Sequence, residues 1–411
     1  MPNLDRERSQ RLMRDSDLDA LILLSAEAFC HATGAHAGVA AMWRRAGAVA
    51  VLIPADPALP ETAIVSDLFA PSFRATSPIQ DVRETPIWVE ALTLSDPVHN
   101  APAAPQFAPL WNMPTRPSLN IRPETFDARA CYRHLRDALE ERGMRRARIG
   151  VELSAVSARD YPLLQKELAS AKLVDATGLC QRLRAVKSRS EITHLRAAAE
   201  LAETGIAAVR NNIVPGVART RLAEVWREAV DEARGGLPLT GAWEYISVGA
   251  DPWGGDAQAE AGDLIKVDVG CIVSGYTSDT GRTFVLGAPS RIQSDLYNAL
   301  RAGFDAGISR LVPGNLLRDV HSVTQSTIRA SGLSGYTRGH FGHGLGTGPG
   351  SEEWPFISAS AEVPIEAGMV LAFECPLYVT GIGGLIIEDQ VEITPDGPVS
   401  MNRLSHDLVI C

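Results

Sequence analysis

Six cysteines stand singly in the 411 residues, at Cys30, Cys131, Cys180, Cys271, Cys375 and Cys411, and no two share a Cys-x-x-Cys spacing. That scarcity leaves neither a disulfide framework nor a thiolate zinc site, so the thiols are expected to be reduced and the protein cytoplasmic. Long apolar runs are also missing. The longest near the amino end, Ala46 to Pro54, falls far short of the roughly 20 residues that cross a bilayer. The charged opening, MPNLDRERSQRLMRDSD, lacks the apolar centre of a secretory signal. No membrane association is expected. There is no basic run either: 39 Lys and Arg against 49 Asp and Glu give a net charge of −10. Such a chain lacks the electrostatic footprint of a nucleic-acid binder. No internal repeat is present. What remains is a composition of 45% hydrophobic and 21% charged residues, that of a folded protein long enough for two domains.

The first 150 residues alternate helical and extended patterns, with apolar runs at Ala20 to Leu24, Ala46 to Ile53 and Thr62 to Val65 reading as strands. A small α/β unit follows from that alternation. Seven prolines between Pro97 and Pro123 remove backbone donors and predict a long loop or lid. A helix from about Ala128 to Arg142, capped by Gly143, then leads into an extended segment from Ala147 to Leu153, expected to be the last β-α-β element of the first domain. Beyond Ser190, apolar residues Ile192, Leu195, Ala199, Ala202, Ile206 and Val209 recur at helical steps until Pro215 and Gly216. Further helices are predicted from about Arg219 to Ala233, Ile292 to Leu311 and Leu316 to Ala330. Extended segments fill Leu264 to Leu286 and Val370 to Ile393. The second half therefore predicts an antiparallel sheet covered by helices, an α+β layer.

Inside those strands lie acids that an apolar environment would reject. Asp268 sits in LIKVDVG and Asp279 in GYTSDTGRTFV, where an uncompensated carboxylate is costly. A hairpin turning at Val273 and Ser274 would set the two directly opposite on one face. Like charges that close force one to hold a proton unless a cation lies between them. Glu374 in MVLAFECPLY and Glu388 in GLIIEDQVEI repeat the theme, with Gly381, Gly383 and Gly384 as the turn. His343, in the glycine-rich HFGHGLGTG, is the fifth candidate. Four carboxylates and one imidazole suit two divalent transition-metal ions, Mn, Fe, Co or Zn.

These segments resemble the pita-bread metallopeptidase superfamily, in the branch of aminopeptidase P, prolidase and creatinase. The resemblance rests on LRAVKSRSEITHLRAAAELAETG, EAGDLIKVDVG, YTSDTGRTF, GHGLG, GMVLAFECPLY and IIEDQV, in that order. It implies a carboxy-terminal pita-bread catalytic domain at 181–411 behind a smaller amino-terminal creatinase-like α/β domain at 1–180. It also implies that Asp268, Asp279, His343, Glu374 and Glu388 are the metal ligands, and that the protein is a homodimer acting on a small-molecule substrate.

The departures from that pattern bear on the substrate. Peptidases of the superfamily carry a histidine upstream of the first metal aspartate, yet none occurs between Leu195 and Asp268. ADPWGGDAQA stands there instead, with Asp251, Trp253 and Asp256 as its distinctive side chains. The histidine expected seven residues after His343 is Gly350, and the arginine expected two residues before Glu388 is Ile386. Glu352 and Glu353 are candidate general bases and His340 a candidate proton donor. Trp253, Trp354 and Trp111 are candidate walls for the pocket. The expected activity is hydrolysis of a small amide or Xaa-Pro type dipeptide, with metal-activated water attacking a polarised carbonyl and Glu374 relaying the proton. Two alternatives stand beside it: a lyase of a sulfonium or betaine acid, similar to the dimethylsulfoniopropionate lyases of the superfamily, and a non-catalytic binding protein.

Overall fold

The computed structural model describes residues 2–90, 92–111, 122–253, 255–348 and 352–411. The chain divides into two compact units, Met1–Arg184 and Ala185–Cys411. No helix among the described residues is long and apolar enough to cross a membrane.

The first unit is built on a mixed six-stranded sheet. Its strands are β1 (Ala20–Leu23), β2 (Ala50–Pro54), β3 (Thr62–Ser66), β4 (Asp81–Thr85), β5 (Arg148–Val151) and β6 (Lys172–Asp175), in the spatial order β4-β3-β2-β1-β5-β6. Both faces of the central strands are apolar because helices cover both. Leu21 and Leu23 pack with Phe29 and Phe73, whereas Ala20 and Ile22 pack with Tyr132, Leu135 and Leu139 of the helix Ala128–Glu141. Two expectations are corrected here. β5 is not the last element, since β6 pairs with it in parallel and helices Tyr161–Glu167 and Thr177–Ala185 follow. β6, with the sequence KLVD and partly exposed at the sheet edge, carries too little apolar signal to stand out. The proline-rich stretch is not all loop: a helix, Ala103–Trp111, lies within it. Pro105 falls in its first turn, where no intrahelical N–H bond is lost, and only Pro109 interrupts the interior. Residues 112–121 of the stretch lie outside the described ones.

The second unit is an eleven-stranded sheet covered by long helices. Its strands are β7 (Leu239–Glu244), β8 (Ser247–Val248), β9 (Leu264–Val273), β10 (Tyr276–Thr277), β11 (Thr280–Val285), β12 (His340–Gly344), β13 (Glu353–Ser358) and β14 (Val370–Glu374). The series continues with β15 (Leu377–Val379), β16 (Gly383–Leu385), β17 (Glu388–Thr394), β18 (Gly397–Ser400) and β19 (Val409–Ile410). The main path runs β10-β9-β11-β17-β14-β12-β13 through antiparallel pairings, and β15 with β16 forms a separate ribbon. Helix Arg189–Asn211 opens on a capping box in which Ser188 and Glu191 satisfy each other's backbone N–H groups. Its apolar face and that of Arg219–Ala233 bury Ile265, Val267, Val269 and Cys271 of β9. Helices Arg291–Ile308 and Leu317–Ala330 cover Leu371 and Phe373 of β14 and Phe341 of β12.

Strand alternation then decides what faces the other way. With Ile265, Val267 and Val269 committed to the helices, Lys266 and Asp268 share the opposite face of β9. The hairpin from β9 to β11 turns at Ser274 and Gly275, with φ of 52° and 82°, one residue later than expected. Two-residue hairpin turns of this kind need positive φ at both centres, which a β-branched Val273 resists. The shift moves the register by two, so Asp268 faces Gly281. Asp279 lies diagonally across from Asp268, on the same face but not directly opposite. Glu374 and Glu388, by contrast, are direct partners across β14 and β17.

Candidate metal centre

The five candidate ligands come from five strands that are consecutive along the sheet path. Asp268 is on β9, Asp279 at the entry to β11, Glu388 at the head of β17, Glu374 at the end of β14 and His343 on β12. Glycines let these strands close in. Gly342 has φ of 130°, and a Cβ there would meet the Ala372 carbonyl oxygen at 2.0 Å. A Cβ on Gly281 would come within 2.8 Å of Ile386 and 3.0 Å of Glu388 Oε2.

Three of the five side chains gather tightly. Ligand atoms of Asp279, His343 and Glu388 all lie within 4.8 Å of one another, and all three residues are buried. His343 Nε2 is 3.5 Å from Asp279 Oδ2. Its Nδ1 is 3.1 Å from the Gly344 carbonyl oxygen, which as an acceptor selects the tautomer that leaves Nε2 a lone pair for an ion. Asp279 Oδ1 is buried and has no hydrogen-bond partner among the described residues. Burial pushes the Asp279 carboxyl well above its usual range, and the charges of Asp268 and Glu374 push it further. Glu388 is raised in the same way, by burial and then by Asp279 and Glu374. An orphaned buried oxygen within a set of mutually repelling carboxylates fits a bound cation, and the O-rich, single-imidazole donor set fits a divalent transition metal.

The other two candidate ligands are each paired with a protein cation, one buried and one half-buried. Lys266 Nζ is 3.0 Å from Asp268 Oδ2. Burial raises the Asp268 carboxyl, and Lys266 works against that rise. Arg338 Nη2 is 2.6 Å from Glu374 Oε1. Burial disfavours the Arg338 charge, but Glu374 outweighs it and raises the guanidinium above its usual value. Neither cation was among the residues singled out in the sequence. Lys266 left a signal, a lone charge in an apolar strand two residues before Asp268. Arg338, in the segment before β12, left none.

The candidate acids and bases separate in the structure. His340 Nδ1 lies 3.9 Å from Glu374 Oε1, and its ring meets His343 edge-on at 6.2 Å. Burial lowers the His340 pKa, which keeps the imidazole neutral near pH 7. Glu352 is exposed, yet its charge bears on both Asp279 and His340. Glu353 Oε1 is 2.6 Å from Lys187 Nζ, a side chain only 1% exposed, so this carboxylate has a structural partner.

The tryptophans and the ADPWGGDAQA segment also separate. Trp253 stacks on Tyr378 with ring centroids 4.8 Å apart. Trp354 packs against the core of the second unit, and Trp111 belongs to the first unit, where its Nε1 donates to Glu90 at 3.2 Å. Asp256 accepts from the Thr220 N–H and hydroxyl and so caps the helix Arg219–Ala233. Asp251 accepts from the Trp253 N–H. Gly350 lies outside the described residues. Ile386 is fully buried, where the superfamily pattern has an arginine.

Behind Glu388 stands a second polar cluster on the far side of β17. Arg282 Nη1 donates to the Glu388 carbonyl at 2.6 Å, and its Nη2 is 2.7 Å from Asp389 Oδ1. The Ser400 hydroxyl donates to Asp389 Oδ2 at 2.6 Å, and His406 Nε2 lies 2.9 Å from the same oxygen. This buried network fixes the strand that presents Glu388.

Comparison with known proteins bears on the whole assembly. Residues 193–395 match the family model Metallopeptidase family M24, and residues 113–186 match Creatinase/Prolidase N-terminal domain. An uncharacterized peptidase of Staphylococcus aureus is 30% identical over 247 residues, covering 57% of this chain and 68% of the relative. The Xaa-Pro dipeptidase of Pyrococcus furiosus is 30% identical over 239 residues, covering 55% of this chain and 66% of the relative. Among solved structures, an Xaa-Pro dipeptidase from Bacillus anthracis superposes with a TM-score of 0.75 at 20% identity, covering 99% of each chain. That likeness establishes the two-part fold, with its creatinase-like first unit and pita-bread second unit.

Proposed function

The chain belongs to metallopeptidase family M24, and from that premise we propose that it is a metal-dependent hydrolase whose ligands are Asp268, Asp279, His343, Glu374 and Glu388. The observation that carries this reading is the convergence of Asp279, His343 and Glu388 within 4.8 Å around a buried carboxylate oxygen that has no partner among the described residues. Two divalent ions, of Mn, Fe, Co or Zn, are the proposed full complement, and when bound they lower the pKa of a water and polarise the substrate carbonyl. The residues of the chain supply the remainder. Glu374, held by Arg338, takes up the proton released by the attacking water. His340, neutral and 3.9 Å from Glu374, passes a proton towards the leaving amine. Glu352 contributes negative charge at the rim of the site.

The substrate class is a small amide, with Xaa-Pro dipeptides first because that is the activity in the name of the Pyrococcus furiosus relative. The absent upstream histidine and the Ile386 replacement remove donors that oxyanion stabilisation normally uses, each worth about 3 kcal/mol. A modified or cyclic amide is therefore the second candidate substrate. The matched relatives are peptidases, and neither the lyase nor the binding-only alternative gains support from them. A homodimer in the cytoplasm completes the proposal, supported by the family resemblance and by six unpaired thiols.

The test is turnover by the metal-reconstituted chain on Xaa-Pro dipeptides and cyclic amides, with Asp279→Ala as control. Hydrolysis lost in the control supports the proposal. Equal turnover by parent and control contradicts it.

A further inference from the structure

We infer that Lys266 is a resident cation whose charge beside Asp268 opposes a second metal ion, so that this side chain sets how weakly that ion is held. This rests on the metal-centre reading above and concerns a residue that the reading leaves unassigned.

Lys266 is fully buried on the same face of β9 as Asp268. Its Nζ lies 3.0 Å from Asp268 Oδ2 and 3.5 Å from the Tyr378 hydroxyl. The ring of Tyr245 stands 3.9 Å from the same nitrogen, and that of Tyr378 stands 5.2 Å away. Trp253 stacks against Tyr378 and helps to hold that ring in place. Removed from water, an ammonium group is stabilised by opposite charge and by aromatic faces, and Lys266 has both. The surroundings are built to keep a positive charge beside Asp268.

The geometry of the ligands matches that occupancy. Asp279, His343 and Glu388 converge without Asp268, so a first ion can bind them and leave the Lys266 pair intact. An ion drawing on Asp268 meets a carboxylate with one oxygen already committed. A second lone pair on that oxygen can still reach an ion, so the Lys266 contact can persist. Either mode of coordination sets a doubly charged ion and an ammonium on one carboxylate in a low-dielectric interior, where like charges repel strongly. The two ions are thereby made unequal by a side chain that ligates neither.

The full-length, metal-free chain titrated with Mn(II) in a calorimeter tests this. In the parent, the second equivalent should bind at least about tenfold more weakly than the first, the scale on which groups next to ligands alter metal affinity. Lys266→Met should tighten the second equivalent by about tenfold or more and leave the first unchanged. Two equivalents of equal affinity in the parent, or an unchanged second affinity in Lys266→Met, overturns the inference but not the metal centre. Failure of the parent to bind Mn(II) at all overturns both. Should Lys266→Met not fold, Lys266→Gln carries the same titration. A second equivalent tightened in Lys266→Gln supports the inference, and an unchanged one overturns it.

Discussion

Glu374 and Glu388 stand directly opposite each other on neighbouring antiparallel strands, two carboxylates placed by register where paired strands bring side chains closest. Across the same face, Asp279 and Asp268 add two more. So concentrated a negative charge is tolerable only with protons or cations present, and that condition governs how the protein should respond to metal and pH.

Metal removal should make stability depend on pH. An acid whose pKa is raised by folding binds more protons folded than unfolded, so its contribution declines as pH rises from the ordinary carboxylate range towards the raised value. Asp279 and Glu388 are both raised. The metal-free protein should therefore melt at a lower temperature at pH 8 than at pH 5, with metal abolishing most of the difference. Thermal unfolding at both pH values, with and without Mn(II), checks this. A metal-free melting temperature that rises from pH 5 to pH 8 contradicts it.

Asp389 should behave in the opposite sense. Burial alone would raise its carboxyl, but Arg282 and His406 outweigh that and bring it to about 2, against an ordinary 3.8. Its stabilisation is full above the ordinary carboxylate range and is lost as pH falls towards 2, a loss on the order of 2 kcal/mol. Asp389→Asn leaves the buried Arg282 without its charge partner and should cost about 3–5 kcal/mol at pH 7 in urea unfolding. A cost below about 1 kcal/mol, the range of an exposed pair, would contradict the buttressing role.

The adjacent acids Glu352 and Glu353 should give different phenotypes. Glu353→Gln weakens the pair with buried Lys187 and should lower the melting temperature while the folded fraction keeps its kcat. Glu352→Gln removes a charge that bears on Asp279 and His340 and should leave the melting temperature alone while lowering kcat by about tenfold. Paired melting curves and steady-state kinetics separate them, and identical behaviour of the two variants would refute the distinction.

Gly281→Ala tests the close approach that sets Glu388. A methyl group there must displace Ile386 or the Glu388 carboxylate. Affinity for the first metal ion should fall by about 10–100-fold, the effect typical of disturbing a ligand's support. Calorimetric titration measures it, and unaltered affinity would show that the close approach at Gly281 does not set Glu388.

Much of this arrangement was legible because it depends on local rules. Alternation along β9, β14 and β17 puts an acid on a chosen face, and glycine runs mark where those strands turn, so Glu374 and Glu388 could be paired from sequence. The Asp268–Asp279 hairpin was misjudged by one residue, since the choice between Val-Ser and Ser-Gly at the turn rests on positive φ rather than on hydrophobic pattern. Lys266 was visible as a charge in an apolar strand but carried no meaning until Tyr245 and Tyr378 were seen around it. The pairings of Glu374 with Arg338 and of Glu353 with Lys187 span 36 and 166 residues and leave no trace in local periodicity. Helix Ala103–Trp111 was hidden because proline content argues against helix, and only Pro105 of its two prolines falls in the first turn, where no intrahelical bond is lost.

The most direct measurement is an anomalous-scattering map from crystals of the chain soaked in Mn(II) or Zn(II), collected at the metal's absorption edge. The account predicts a peak at about 2.0–2.2 Å from oxygens of Asp279 and Glu388 and from Nε2 of His343. A map with no peak there, or with the metal bound elsewhere while those three side chains remain unliganded, would contradict it.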